Sequence, residues 1–393
     1  MMYRRTLIIS LLFIVLHIVF AYFIPQFISF GTFPYLDDLI KSGFPPYIYS
    51  FANFDGAQYL KIAQSGYLPL TQAFFPLYPI LIRAFSLWGL FSSLLSGLII
   101  SYLSFFGMLL IFQKYLNHLE LPKTNVHWFI FFVLTFPTSF FFISLYTESL
   151  YLLFFIGALL STRNKSYLIA FICALAIGLT RVTGIFLIIP LFFELLQTQD
   201  KKRDNTPIWK QIIDVFKSWK NILVLLAPII GLGIYSIYLK ITTNDFFAFF
   251  NLQPISNATR STELILLPQV LYRYLKIFLT ATLNFQYFIA GVEFVTILFV
   301  GSLIMYDFWR IISGSQKNAY TLIGLHLNSL AILILPTLTG TLSSLPRYAV
   351  PLLSTYYILA TIKNTWIKVL IGLVFVILHV ILFSYFIQGY FVS

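Results

Sequence analysis

Runs of about 20 apolar residues recur from one end of the chain to the other, beginning with "RRTLIISLLFIVLHIVFAYFIPQF". A helix of about that length spans the hydrocarbon of a bilayer. In lipid, a segment must also close its backbone hydrogen bonds internally. These runs predict an all-α integral membrane protein. Composition agrees: 10% of the 393 residues are charged, against about a quarter in a typical soluble domain. A net charge of +12 would suit nucleic acid, but the basic residues gather in particular loops. Orientation in the membrane explains them, and no nucleic-acid partner is expected. Cys173 is the single cysteine and lies in an apolar run, so no intramolecular disulfide is available. The N-terminus starts like a signal peptide, yet its apolar core is long and no small-residue cleavage site closes it. It reads as a retained first span.

The pattern predicts about eleven spans, at 6–30, 92–113, 126–145, 148–161, 167–180, 183–198, 221–240, 292–312, 319–340, 347–363 and 367–390. With the N-terminus in the cytoplasm, 16 of the 25 Lys and Arg fall in inner loops, among them Arg4, Arg5, Lys201, Lys202, Arg203, Lys317 and Lys363. This bias satisfies the positive-inside rule. The whole chain, 1–393, reads as one transmembrane domain with three longer connections. The first outer loop, 31–91, holds "AFFPLYPILIRAFSLWG", whose prolines and Arg83 favour an interfacial helix over a span. The second outer region, 241–291, holds "LLPQVLYRYLKIFLTATLNF", read the same way. The cytoplasmic loop 199–220 is basic and too short for a nucleotide-binding domain. No internal repeat stands out.

Ionisable residues in or beside lipid are costly and therefore functional suspects. Asp37, Asp38, Asp55, Glu148, Arg181 and Arg347 all fall on the outer side of this topology. Each also has a bland reading. Asp55 is placed to cap the helix begun by "GAQYLKIA". Asp37 and Asp38 suit a loop, Glu148 a solvated turn. Arg181 and Arg347 suit snorkelling to a headgroup, less so for Arg347, which has a proline to each side. His326 reads as a helix–helix hydrogen bonder, and Asn257-Ala258-Thr259 as a weak glycosylation sequon. There is no zinc spacing, no phosphate-binding glycine loop and no nucleophile elbow, so no cofactor or metal is expected. A base with two arginines facing the outer leaflet suits transfer from a substrate carrying a phosphate in the membrane, because a guanidinium meets phosphate with two parallel hydrogen bonds.

Four blocks carry a resemblance: "NFDGAQYLKIAQSGY", "AFFPLYPILIR", "FPTSFFFISLYTESLYLLF" and "GLTRVTGIFLIIPL", in that order, with "LPRYAVPLL" near the end. Together they resemble the PIG-V-like mannosyltransferases, a family of GT-C membrane glycosyltransferases. The resemblance covers roughly residues 50 to 195 and extends more loosely to the C-terminus. It implies a GT-C-type helical bundle that takes a sugar from a polyprenyl-phosphate carrier on the non-cytoplasmic side. It puts the catalytic carboxylate on Asp55 and brings Glu148 and Arg181 to the site. The family often has Trp before this Asp; here it is Phe54, which keeps an aromatic wall, removes an indole donor and leaves the acceptor open.

The expectation is therefore an inverting glycosyltransferase, a mannosyltransferase by resemblance, with Asp55 as base. Glu148, Arg181, Arg347, Tyr59, Tyr146 and Asp38 are the candidate substrate-binding residues. The partners are a polyprenyl-phosphate-linked sugar donor, the membrane and an acceptor of open identity. The site would face outside a prokaryotic plasma membrane or the lumen of an endoplasmic reticulum. The alternative is a transporter or flippase of lipid-linked sugars, which predicts repeats and midplane charges on broken helices.

Overall fold

The computed structural model describes residues 2–87, 91–200, 207–252, 260, 261, 263–314 and 318–392. Lys201, Lys202, Arg203, Lys317 and the 257–259 sequon lie outside the described residues. Helix makes up 77% of the fold and no strand occurs among the described residues, so the chain is all-α.

The helices are α1 (Met2–Phe23), α2 (Leu36–Ile40), α3 (Pro46–Tyr49), α4 (Asp55–Ser65), α5 (Leu77–Leu87), α6 (Ser93–His118) and α7 (Lys123–Thr135). They continue with α8 (Glu148–Arg163), α9 (Tyr167–Gly178), α10 (Ile188–Asp200), α11 (Ile208–Lys217), α12 (Trp219–Thr243) and α13 (Ala248–Asn251). The last are α14 (Leu267–Thr280), α15 (Phe285–Ile312), α16 (Ala319–Ile334), α17 (Leu345–Ala349), α18 (Leu353–Thr361) and α19 (Thr365–Ile387).

Among the described residues, six helices are long and apolar enough to cross a membrane: α1, α6, α12, α15, α19, and α16 with the 3₁₀ turn that prolongs it. Several expected spans are instead broken helices. The segment 126–145 stops at Thr135, because Phe136 precedes Pro137 and takes an extended backbone; residues 139–142 then form a 3₁₀ turn. Residues 183–198 divide into a 3₁₀ turn over Val182–Leu187 and α10. Residues 347–363 divide into α17 and α18, with Pro351 between them. Both expected amphipathic segments are helical, as α5 and α14.

Exposed leucines, isoleucines and valines crowd α1, α12, α15 and α19, as expected where helices face lipid. The interior is aromatic instead, with Phe140, Phe141 and Phe142 fully buried. Small residues let α9 and α12 approach closely. A Cβ on Gly178 would lie 2.2 Å from the Pro228 carbonyl oxygen, and one on Gly231 would lie 2.4 Å from that of Leu175. This contact fixes the end of α9, from which Arg181 departs.

The breaks near residues 53, 145, 180 and 345 meet in the fold. Backbone bonds join them: Leu145 N–H donates to Phe51 O at 2.9 Å, and Leu77 N–H to Leu179 O at 3.0 Å. The Thr138 hydroxyl donates to Pro346 O at 2.8 Å.

Candidate active site

Asp55 opens α4, and its surroundings explain the residues beside it. Phe54, immediately before it, has φ 58°, a left-handed conformation that an aromatic residue adopts only under tertiary constraint. The constraint acts on Asn53, the residue before it. Asn53 Nδ2 donates to Phe386 O at 2.8 Å, and the Tyr146 hydroxyl donates to Asn53 O at 2.9 Å. Gly56 follows because a Cβ there would stand 3.2 Å from both Ala52 Cβ and Leu145 O. Asp55 is the first residue of α4 rather than its N-cap, which is Phe54. Asp55 Oδ2 accepts from Arg347 Nη1 at 2.6 Å.

Arg347 in turn lies with Nε 3.7 Å from Glu148 Oε1, and that oxygen accepts from Arg181 Nη1 at 2.8 Å. The result is an alternating chain: Asp55, Arg347, Glu148, Arg181. Side-chain exposure is 28% at Asp55, 10% at Arg347, 1% at Glu148 and 12% at Arg181. Asp55 is thus the accessible end. Glu148 sits in the first turn of α8, where the helix dipole favours its charge. A buried carboxylate is tolerable only when paired in this way.

Aromatic rings wall the chain. The Arg347 guanidinium lies 5.4 Å from the Tyr146 ring centre and 5.7 Å from that of Phe141. Arg181 lies 5.2 Å from the Tyr348 ring centre, and Arg260 hydrogen-bonds the Tyr348 side chain. Tyr59 is buried within electrostatic reach of all four charges. Burial, then the Asp55 carboxylate, push its phenol above the ordinary range, so it stays a hydrogen-bond donor.

The structure brings together Asp55, Glu148, Arg181, Arg347, Tyr59 and Tyr146. Asp38 is different: it is exposed on α2, and no bond joins it to the chain among the described residues. Its place in a loop-borne helix, one residue from Asp37, carried no information about depth. His326 is a buried helix–helix hydrogen bonder, bonded to Asp307 and Ser354.

Sequence reasoning missed a support beneath Arg347. Glu293, buried on α15, accepts the Tyr274 hydroxyl through Oε2 at 2.6 Å and Ser344 N–H through Oε1 at 3.2 Å. The Tyr274 oxygen also accepts from Leu342 N–H at 3.1 Å. These bonds hold the turn at Ser344, with φ 66°, that launches α17 and Arg347. A glutamate inside "GVEFVTILF" was the available signal, since an acid in an apolar helix needs a reason. Arg260 and Tyr348 offered no comparable signal.

A cavity of about 800 Å³ runs between α15 and α19, lined by Pro137, Phe288, Gly291, Val295 and Phe375 among others. It is apolar and contains none of the charged residues. The charged side chains described above lie apart from it, in the cluster around Asp55. No family model matches the chain, and no curated protein matches it.

Proposed function

We propose that the chain is a GT-C-type membrane glycosyltransferase, similar to the PIG-V-like mannosyltransferases. It would move a sugar from a polyprenyl-phosphate carrier to an acceptor hydroxyl on the non-cytoplasmic face. The observation that carries this reading is the alternating Asp55–Arg347–Glu148–Arg181 chain. Such a chain offers a base and cationic forks side by side. The eleven spans and the GT-C topology belong to the same proposal, with the broken helices counted as partial spans.

In this mechanism Asp55 Oδ2 stays on Arg347, leaving Oδ1 to take the proton of the acceptor hydroxyl. The acceptor oxygen forms a bond to the anomeric carbon as the bond from that carbon to the carrier phosphate breaks. The electron pair leaves on the phosphate. Arginine carries five N–H donors, and Arg181 and Arg347 meet the developing negative charge. One base and one displacement invert the anomeric centre.

The test uses purified protein, synthetic polyprenyl-phosphate mannose and a panel of hydroxyl acceptors, read by mass spectrometry. A glycosylated acceptor with released polyprenyl phosphate is expected. A sugar that crosses the bilayer still attached to its carrier would establish a flippase instead.

A further inference from the structure

We infer that Gln58, with the second carboxylate oxygen of Glu148, reads the hydroxyl groups of a sugar seated against Asp55. This rests on the charge chain being the ligand site proposed above. It adds what that site recognises and which residue selects it.

Gln58 lies three residues after Asp55 on α4, one helical turn on, and shares its face. Its Oε1 is shut away from solvent and has no hydrogen-bond partner among the described residues. Glu148 Oε2 is in the same condition, while its sister oxygen holds Arg181. Buried polar atoms are nearly always matched, and an unmatched one lowers stability unless a ligand or water completes it. Unmatched atoms occur elsewhere in this chain. Gln58 shares the α4 face of Asp55, and Glu148 is joined to Asp55 through Arg347, so a ligand seated on the Asp55 carboxylate lies beside both.

The chemistry of the gap narrows the ligand. Carboxylate and amide oxygens ask for hydrogen-bond donors. A cationic donor is disfavoured, because Arg181 and Arg347 already stand against the same carboxylates. An anion is repelled by those oxygens. What fits is a neutral group that donates: the hydroxyls of a polyol. Exchange of the Gln58 amide O and N leaves the match intact, since a hydroxyl both donates and accepts. A phosphate suits the arginines and a polyol suits the oxygens, so a sugar joined to a phosphate satisfies both halves at once.

The experiment is a Gln58→Met substitution in the full chain, purified in detergent. Two quantities are measured: thermal unfolding without ligand, and binding of synthetic polyprenyl-phosphate mannose against polyprenyl phosphate alone. Met removes a buried unmatched atom, so the unfolding temperature holds or rises. Affinity for the mannose-bearing lipid falls about five- to tenfold, while affinity for the bare carrier is unchanged. Gln58→Glu, which keeps an acceptor, retains the preference for the sugar-bearing lipid. A lower unfolding temperature with equal losses for both lipids would make Gln58 a structural residue and overturn the inference. Wild-type protein that binds both lipids equally would overturn hydroxyl recognition while leaving the phosphate reading in place. Protein that binds neither would remove the ligand site itself.

Discussion

Two polar clusters lie inside this apolar chain, and they differ in how completely they are matched. In one, Asp307 Oδ2 is 2.9 Å from His326 Nε2, and His326 Nδ1 is 2.9 Å from Ser354 Oγ. Arg310 pairs with the other oxygen of Asp307, and Ser329 donates to Ser354 at 3.1 Å. Serine, histidine and aspartate thus stand in the order of a nucleophilic triad. Yet His326 and Ser354 are 0% exposed and Asp307 1%, and both Asp307 oxygens are taken, by His326 and Arg310. In the other cluster Asp55 is 28% exposed, and Glu148 and Gln58 each keep an unmatched oxygen. A network whose partners are all internal holds helices together; one with unmatched oxygens beside an accessible carboxylate has hydrogen-bonding capacity left for a ligand.

The largest expected effect lies in the open cluster. Asp55→Asn preserves size and removes the proton acceptor, so transfer falls by at least about a hundredfold with folding intact. Near-normal turnover in that variant would erase the functional distinction between the clusters. Next comes Arg181→Lys, which keeps charge but loses the fork. A donor titration at saturating acceptor should show donor use weakened by about ten- to a hundredfold, with Arg181→Ala worse. Equal donor dependence in all three proteins would move the phosphate contact elsewhere.

The sealed cluster should respond in the opposite way. Asp307→Asn weakens the buried His326 bond and removes the charge that Arg310 meets, costing about 1.5–3 kcal/mol of stability while the folded fraction keeps its activity. Lost activity without lost stability would mean the sealed triad has a role in the reaction. The smallest effect is expected at the support beneath Arg347. Tyr274→Phe removes the hydroxyl between Leu342 and Glu293, and donor KM rises about fivefold, equivalent to about 1 kcal/mol. Unchanged KM would show that the Ser344 turn holds without it.

The membrane class was legible because apolar run length answers directly to bilayer thickness. Asp55, Glu148, Arg181 and Arg347 were legible because charge in an apolar setting is conspicuous. Their pairing was not. Asp55 and Arg347 are 292 residues apart in sequence, and no local pattern says that two helix ends meet. The breaks at Pro137 and Pro351 were also hard to weigh, since hydropathy averages across a bend that backbone sterics impose. Asp38 is the reverse case, a conspicuous charge that the structure leaves exposed on α2. Gln58 escaped notice for a different reason: an uncharged amide draws attention only when its missing partner is seen.

The central claim is direct displacement at the sugar by a hydroxyl that Asp55 deprotonates. The most direct test supplies reconstituted protein with polyprenyl-phosphate mannose labelled with carbon-13 at the anomeric carbon. The configuration at that carbon is then read by NMR before and after reaction. The account predicts that the label moves to the acceptor with its configuration inverted, in wild type and not in Asp55→Asn. A retained configuration, or a label that stays on the carrier phosphate, would contradict it.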